Sequence, residues 1–252
     1  LGRPLVRVVE LNVSAYPTIE VLPPAGRELI VRVKRPVSVK GSYRGTLAIG
    51  NSEGLHFASE SEDFSIPESA DSTDVRLKLL QEPAGTFSFA CNITLPSGDA
   101  VLRTPAHRYS VIEAFADGPV GEGVDRYNVE LDGDSNVPAK AKLVYAAADA
   151  AAPGKTCARL SYEFDQGWRF VRVSPRPMIP ISGSPIAARL WVRGDSKDGL
   201  ARMRFLDSAG QTFQPDFGRI SFSDWRVVEA KLTGSGAGHW GGKNDGVVRG
   251  PI

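Results

Sequence analysis

The sequence predicts an all-β protein made of two β-sandwich domains, and three observations predict it. Short runs of β-prone residues recur along the whole chain, their polarity alternates, and clusters of Gly, Pro, Asn, Asp and Ser punctuate them. Helical periodicity is scarce. The Ala-rich stretch at 146–152 invites a helix, but Pro153 and Gly154 stop it and it reads as a loop. A length of 252 residues accommodates one large domain or two ordinary ones. A composition shift decides for two: after Tyr109-Ser110-Val111-Ile112-Glu113 the chain turns to Ala116-Asp117-Gly118-Pro119-Val120-Gly121-Glu122-Gly123, a Gly-rich junction. The expected domains are therefore 1–112 and 113–252.

In the first domain the strand-like runs are 5–11, 18–22, 28–33, 45–50, 74–80, 85–95 and 101–112. Leu29, Val31 and Val33 alternate with Ile30, Arg32 and Lys34, and Val75, Leu77 and Leu79 alternate with Arg76, Lys78 and Leu80. Successive strand side chains point to opposite faces, so each strand is expected to bury one face. The run Thr86-Phe87-Ser88-Phe89-Ala90-Cys91-Asn92-Ile93-Thr94 meets the turn Pro96-Ser97-Gly98-Asp99 and returns through Val101 as a hairpin. The number of runs suits an immunoglobulin-like sandwich. In the second domain the runs are 127–131, 140–146, 157–164, 170–173, 187–192, 201–206 and 225–232. That number approaches the eight strands of a jelly roll.

Charge and cysteine content narrow the partners. Thirty basic against 29 acidic residues leave a formal net charge of +1, so no global field draws the chain to nucleic acid or to an anionic membrane. No apolar run is long enough to span a bilayer, and the chain opens on Leu1, as a processed or excised end would. Cys91 and Cys157 fall in different expected domains and are read as two small buried thiols rather than a disulfide.

Three segments carry a resemblance. These are Arg189-Leu190-Trp191-Val192-Arg193-Gly194-Asp195, then Arg202-Met203-Arg204-Phe205-Leu206-Asp207, then Gly210-Gln211-Thr212-Phe213-Gln214. With Trp225-Arg226-Val227-Val228 and His239-Trp240-Gly241-Gly242-Lys243-Asn244-Asp245-Gly246, residues 113–252 resemble the galactose-binding-like jelly-roll carbohydrate-binding modules of bacterial glycoside hydrolases. The first half resembles the immunoglobulin-like spacers found beside them. The resemblance implies a secreted or cell-surface location, a polysaccharide or oligosaccharide ligand, an adjacent catalytic domain outside this sequence, and one more strand than the chain provides before Gly250-Pro251-Ile252. It also implies a structural calcium, for which Glu113, Asp117 and Asp134 are the candidate oxygen ligands.

Strand parity gives a site independently of the resemblance. Leu190 and Val192 alternate with Arg189, Trp191 and Arg193, while Met203 and Phe205 alternate with Arg202 and Arg204. One face is thus apolar and the other carries Arg and Trp. An indole packs on the apolar face of a pyranose and guanidinium groups donate to hydroxyls or carboxylates, which favours an acidic or heavily substituted glycan. The competing reading has Trp191 packed and the arginines paired with Asp195, Asp207 and Glu229. Gln211, Gln214, Trp225 and Trp240 complete the expected contact set, while Trp168 is read as core and Asn244-Asp245-Gly246 as a turn.

No catalytic constellation emerges. His56, His107 and His239 are scattered, and no nucleophile elbow, zinc-binding helix or phosphate loop is present. Glu60, Glu62, Asp132 and Asp134 read as solvated loop acids rather than a glycosidase pair. The expectation is a non-catalytic glycan-targeting region, against the alternative of a structural spacer or protein-docking region.

Overall fold

The structure is a computed structural model that describes residues 16–113, 115, 118–149, 155–233 and 237–252. It is all-β: the described residues contain no helix and form several sheets, in which every strand pairing with a stated register is antiparallel. The expected strand at 5–11 lies outside the described residues, as does part of the Ala-rich 146–152 stretch. Among the described residues no helix is long and apolar enough to cross a membrane. The chain divides into two compact units, and segments 22–28 and 81–87 belong with the second, which then continues from Tyr109 to Ile252.

Two sheets supply most of the first unit, and their strands at 85–94 and 107–111 extend past its bounds. One orders β1 (Thr18–Val21), β2 (Glu28–Lys34) and β5 (Ser72–Lys78). The other orders β4 (Ser61–Ile66), β3 (Tyr43–Glu53), β6 (Gly85–Thr94) and β7 (Ala100–Arg103), with β8 (His107–Val111) also on β6. The alternation in β5 is realised as expected, with Val75 and Leu77 buried and Arg76 and Lys78 exposed. In β2, Ile30 is buried together with Leu29, Val31 and Val33, so the inward face broadens at the start of that strand. Phe87, Phe89, Cys91 and Ile93 are all buried along β6. Burial of this kind contributes about 1.5–3 kcal/mol for each large apolar side chain. On the outer side of β2 the Arg32 Nε donates to Asp74 on β5 at 2.8 Å. β4 forms where the sequence predicts a polar loop: Asp63 faces out, Phe64 and Ile66 are buried, and Glu62, on their side of the strand, is half-buried.

The second unit is assembled from paired ribbons. β9 (Tyr127–Gly133) pairs with β12 (Arg169–Pro175), and β10 (Ala139–Ala147) pairs with β11 (Thr156–Phe164). β13 (Ala187–Arg193) pairs with β18 (Trp225–Lys231), and β14 (Gly199–Arg202) with β17 (Asp216–Ile220). A small sheet orders β15 (Phe205–Leu206), β16 (Thr212–Gln214) and β19 (Gly238–Trp240). The expected run 201–206 is thus two strands, broken at Met203-Arg204. Ile252 exchanges backbone hydrogen bonds with Ile181 at 2.6 and 3.1 Å.

Among the described residues two apolar clusters hold this unit. Val124, Leu143 and Tyr145 gather Tyr127, Val129, Leu160 and Val173 around them. Phe205, Phe213 and Leu232 form the other, with Met203, Val248 and Ile252 packed against it. The Phe205 and Phe213 rings stack at 5.2 Å and 12°. Both cysteines are free: Cys91 is buried, and burial pushes its thiol pKa up to about 12, whereas Cys157 is only partly covered.

Candidate functional site

The small sheet β15-β16-β19 sorts its side chains by strand parity. Phe213 faces Phe205 across one pairing and His239 across the other, so all three lie on the side of the apolar cluster, and the Phe213 and His239 rings are 5.9 Å apart. Thr212 and Gln214 lie on the opposite side, and Trp240, the register partner of Thr212, lies there with them. Arg204 joins that side. Its Nε donates to Gln214 Oε1 at 2.6 Å, and its guanidinium carbon sits 5.1 Å from the Trp240 ring centre and 5.9 Å from that of Phe170. These separations lie within cation–π range.

Phe170 brings a further ring. Trp168 packs against it at 5.8 Å and 54°, yet Trp168 is 71% exposed. Local backbone chemistry holds it there. The Asp134 N–H donates to the Trp168 carbonyl at 2.7 Å, and this approach depends on Gly133, where a Cβ would come within 2.6 Å of that carbonyl oxygen. Gly167, at φ +147°, lies so close to Val137 that a Cβ would meet its side chain at 2.3 Å. Both positions need glycine, and together they fix the Trp168 backbone. Trp240, 42% exposed, closes the row. The result is Trp168, Phe170, the Arg204 guanidinium and Trp240 in succession, edged by Gln214.

The loop after Trp240 is anchored from within. Gln211 is 0% exposed; its Oε1 accepts the Gly246 N–H at 3.0 Å and its Nε2 reaches Asp245 Oδ1 and the Val247 carbonyl at 3.3 and 3.4 Å. Asp207, also buried, accepts the N–H groups of Ala209, Gln211 and Arg249. Arg249 holds Asp245 through two hydrogen bonds of 3.0 and 2.7 Å, and this guanidinium, with the Val247 N–H, keeps the Asp245 carboxyl well below the usual carboxylate range. The hydrogen-bonded turn lies earlier than the expected Asn244-Asp245-Gly246: the Asn244 N–H donates to the Gly241 carbonyl, closing a turn over 241–244, and Asp245 and Gly246 follow it as a bend.

The other expected contacts are deployed differently. Arg189 donates to Glu229 at 2.6 Å across the β13-β18 register. Trp191 gives its indole N–H to the Pro23 carbonyl at 3.0 Å, inside the second unit. Arg193 and Trp225, register partners, both donate to Asp149. Arg202 pairs with Asp216 at 2.8 Å. The Arg/Trp face of β13 and β14 is therefore engaged by internal acceptors, and Gln211 is sealed inside. Of the acids named as partners in the competing reading, Glu229 does pair with Arg189. Asp195 instead accepts the Tyr162 hydroxyl at 2.8 Å, and Asp207 caps backbone.

Two of the residues named for calcium, Glu113 and Asp134, accept hydrogen bonds from within the chain. Glu113 accepts from the Phe115 N–H, Arg126 and the Tyr127 hydroxyl at 2.8, 2.9 and 3.2 Å. Asp134 Oδ1 accepts the Asn136 N–H at 3.0 Å. Asp117 lies outside the described residues. Among the described residues no group of three or more His, Cys, Asp or Glu side chains is placed to hold a metal ion.

Arg204, Gln214 and Trp240 are thus brought together, while Trp168 and Phe170 join them unannounced. Trp168 reads as core because it opens a strand, yet the polar segment Asp165-Gln166-Gly167 directly before it places it at the connection from β11 to β12, where exposure is expected. No protein-family profile matches the chain, and no curated protein matches its sequence.

Proposed function

We propose that this chain is a non-catalytic glycan-binding accessory region of a secreted polysaccharide-degrading enzyme, and that its ligand rests on Trp168, Phe170 and Trp240. One observation carries this reading: an indole left 71% exposed while its backbone is locked by two obligatory glycines, in a row with a second exposed indole. A large aromatic side chain held rigidly in water forgoes burial that would stabilise the fold, and a flat apolar ring is the natural partner of a sugar's C–H face. The resemblance of residues 113–252 to galactose-binding-like modules supports the same class. Tethering such a platform to a catalytic domain raises the local substrate concentration without new chemistry.

Affinity electrophoresis of the full chain through gels containing neutral or acidic plant, algal and bacterial polysaccharides, with and without calcium, tests the proposal. Retardation by at least one polysaccharide, abolished in the Trp168→Ala, Trp240→Ala double variant, is expected. Unretarded migration of the folded protein in every gel would replace glycan binding with the spacer or docking reading.

A further inference from the structure

We infer, resting on the glycan reading, that the ligand is an acidic sugar whose anionic group is read by Arg204. The inference comes from comparing the four arginines that the sequence places at the site. Arg189, Arg193 and Arg202 each have a carboxylate: Glu229, Asp149 and Asp216. Among the described residues Arg204 has none. Its one side-chain hydrogen bond goes to the neutral amide of Gln214, which orients the guanidinium without neutralising it. The positive charge is flanked by the faces of Trp240 and Phe170 at 5.1 and 5.9 Å, and the side chain is exposed.

Gln214 engages only Nε, leaving the two terminal nitrogens of the fork to a ligand. That fork matches a carboxylate or a sulfate ester, each of which accepts two parallel N–H bonds. The rings select what carries the anion: a sugar stacked on Trp240 or Trp168 brings its substituent to the guanidinium between them. One guanidinium set between aromatic rings, in a chain of net charge +1, does not by itself provide the basic track that a phosphodiester backbone requires.

Isothermal titration of the full chain at low, fixed ionic strength distinguishes the outcomes. The probes are polygalacturonate and its carboxyl-reduced form, a sulfated galactan and its desulfated form, and a single-stranded oligodeoxynucleotide. The native chain is expected to prefer at least one charged polymer over its neutral counterpart by about 10- to 100-fold. Which pair shows the preference distinguishes a carboxylate from a sulfate. Arg204→Gln should erase that preference, so that the charged and neutral forms bind it with equal affinity. Arg204→Lys, which retains charge but not the fork, should keep only part of it. Equal affinity for charged and neutral forms would overturn the acidic-sugar assignment and leave glycan binding standing. Silence toward all four polymers, or preference for the oligonucleotide, would overturn both.

Discussion

Trp168 and Phe213 are both aromatic, yet the structure assigns them opposite duties, and truncating each to alanine separates the duties. Trp168 is 71% exposed, so roughly 30% of a surface of about 250 Å² is covered, or ~75 Å². At ~25 cal/mol per Å² this is about 2 kcal/mol, an upper figure because the unfolded chain already covers part of it. Phe213 is 1% exposed and stacked on Phe205. Its truncation removes the ring and leaves a cavity, at a cost of about 3–5 kcal/mol. Urea unfolding followed by circular dichroism should therefore show a small shift for Trp168→Ala and a large one for Phe213→Ala. Glycan affinity should show the reverse, with a loss on the order of 30-fold for Trp168→Ala, as for a central aromatic anchor. A Trp168→Ala destabilisation as large as that of Phe213→Ala, or an unchanged affinity, would refute the assignment.

Three further outcomes are expected. Gln211→Leu keeps the volume but leaves the Gly246 N–H without its acceptor, so stability should fall by about 1–3 kcal/mol in the same urea assay, and an unchanged midpoint would remove Gln211 from the loop anchor. Cys157, partly covered, should react with a thiol reagent in the folded protein, while Cys91, its thiol pushed up to about 12 by burial, should react only on unfolding; equal rates would contradict the burial of β6. Burial, reinforced by Glu113, raises the Tyr127 phenol to about 12, so the folded state favours the neutral form. That stabilisation is fully present below the unfolded value of about 10 and is lost as pH rises toward about 12. Phenolate absorbance compared with Tyr127→Phe should place this titration near 12, and a midpoint near 10 would show the residue solvated.

Where alternation was long enough to set strand parity, the sequence carried the fold. Val75 and Leu77 against Arg76 and Lys78 describe β5 correctly, and Phe87, Phe89, Cys91 and Ile93 describe the inner face of β6. β4 escaped because four of its six residues are polar and only Phe64 and Ile66 are buried. β15, β16 and β19 have two or three residues each, too few for a period to register. The site was legible only in part for a different reason. Parity correctly puts Arg189, Trp191 and Arg193 on one face, but whether an arginine there is available depends on what lies across the sheet. Glu229 is among the acids the sequence offers as partners, but Asp216 is a cross-strand neighbour and Asp149 arrives from the loop after β10, so neither of these two pairings is visible before register is known. Arg204, in the break between β14 and β15, meets the amide of Gln214 instead of an acid.

The central claim, that the ligand lies on Trp168 and Trp240 and not on the Arg/Trp face of β13, is tested most directly by indole oxidation with N-bromosuccinimide, read residue by residue by peptide mass spectrometry with and without a retarding polysaccharide. Trp168 and Trp240 should oxidise first in the free protein and be protected together when the polysaccharide binds, while Trp191 and Trp225 stay slow in both conditions. Protection confined to Trp191 and Trp225, with Trp168 and Trp240 oxidised at the same rate whether or not ligand is bound, would contradict the account.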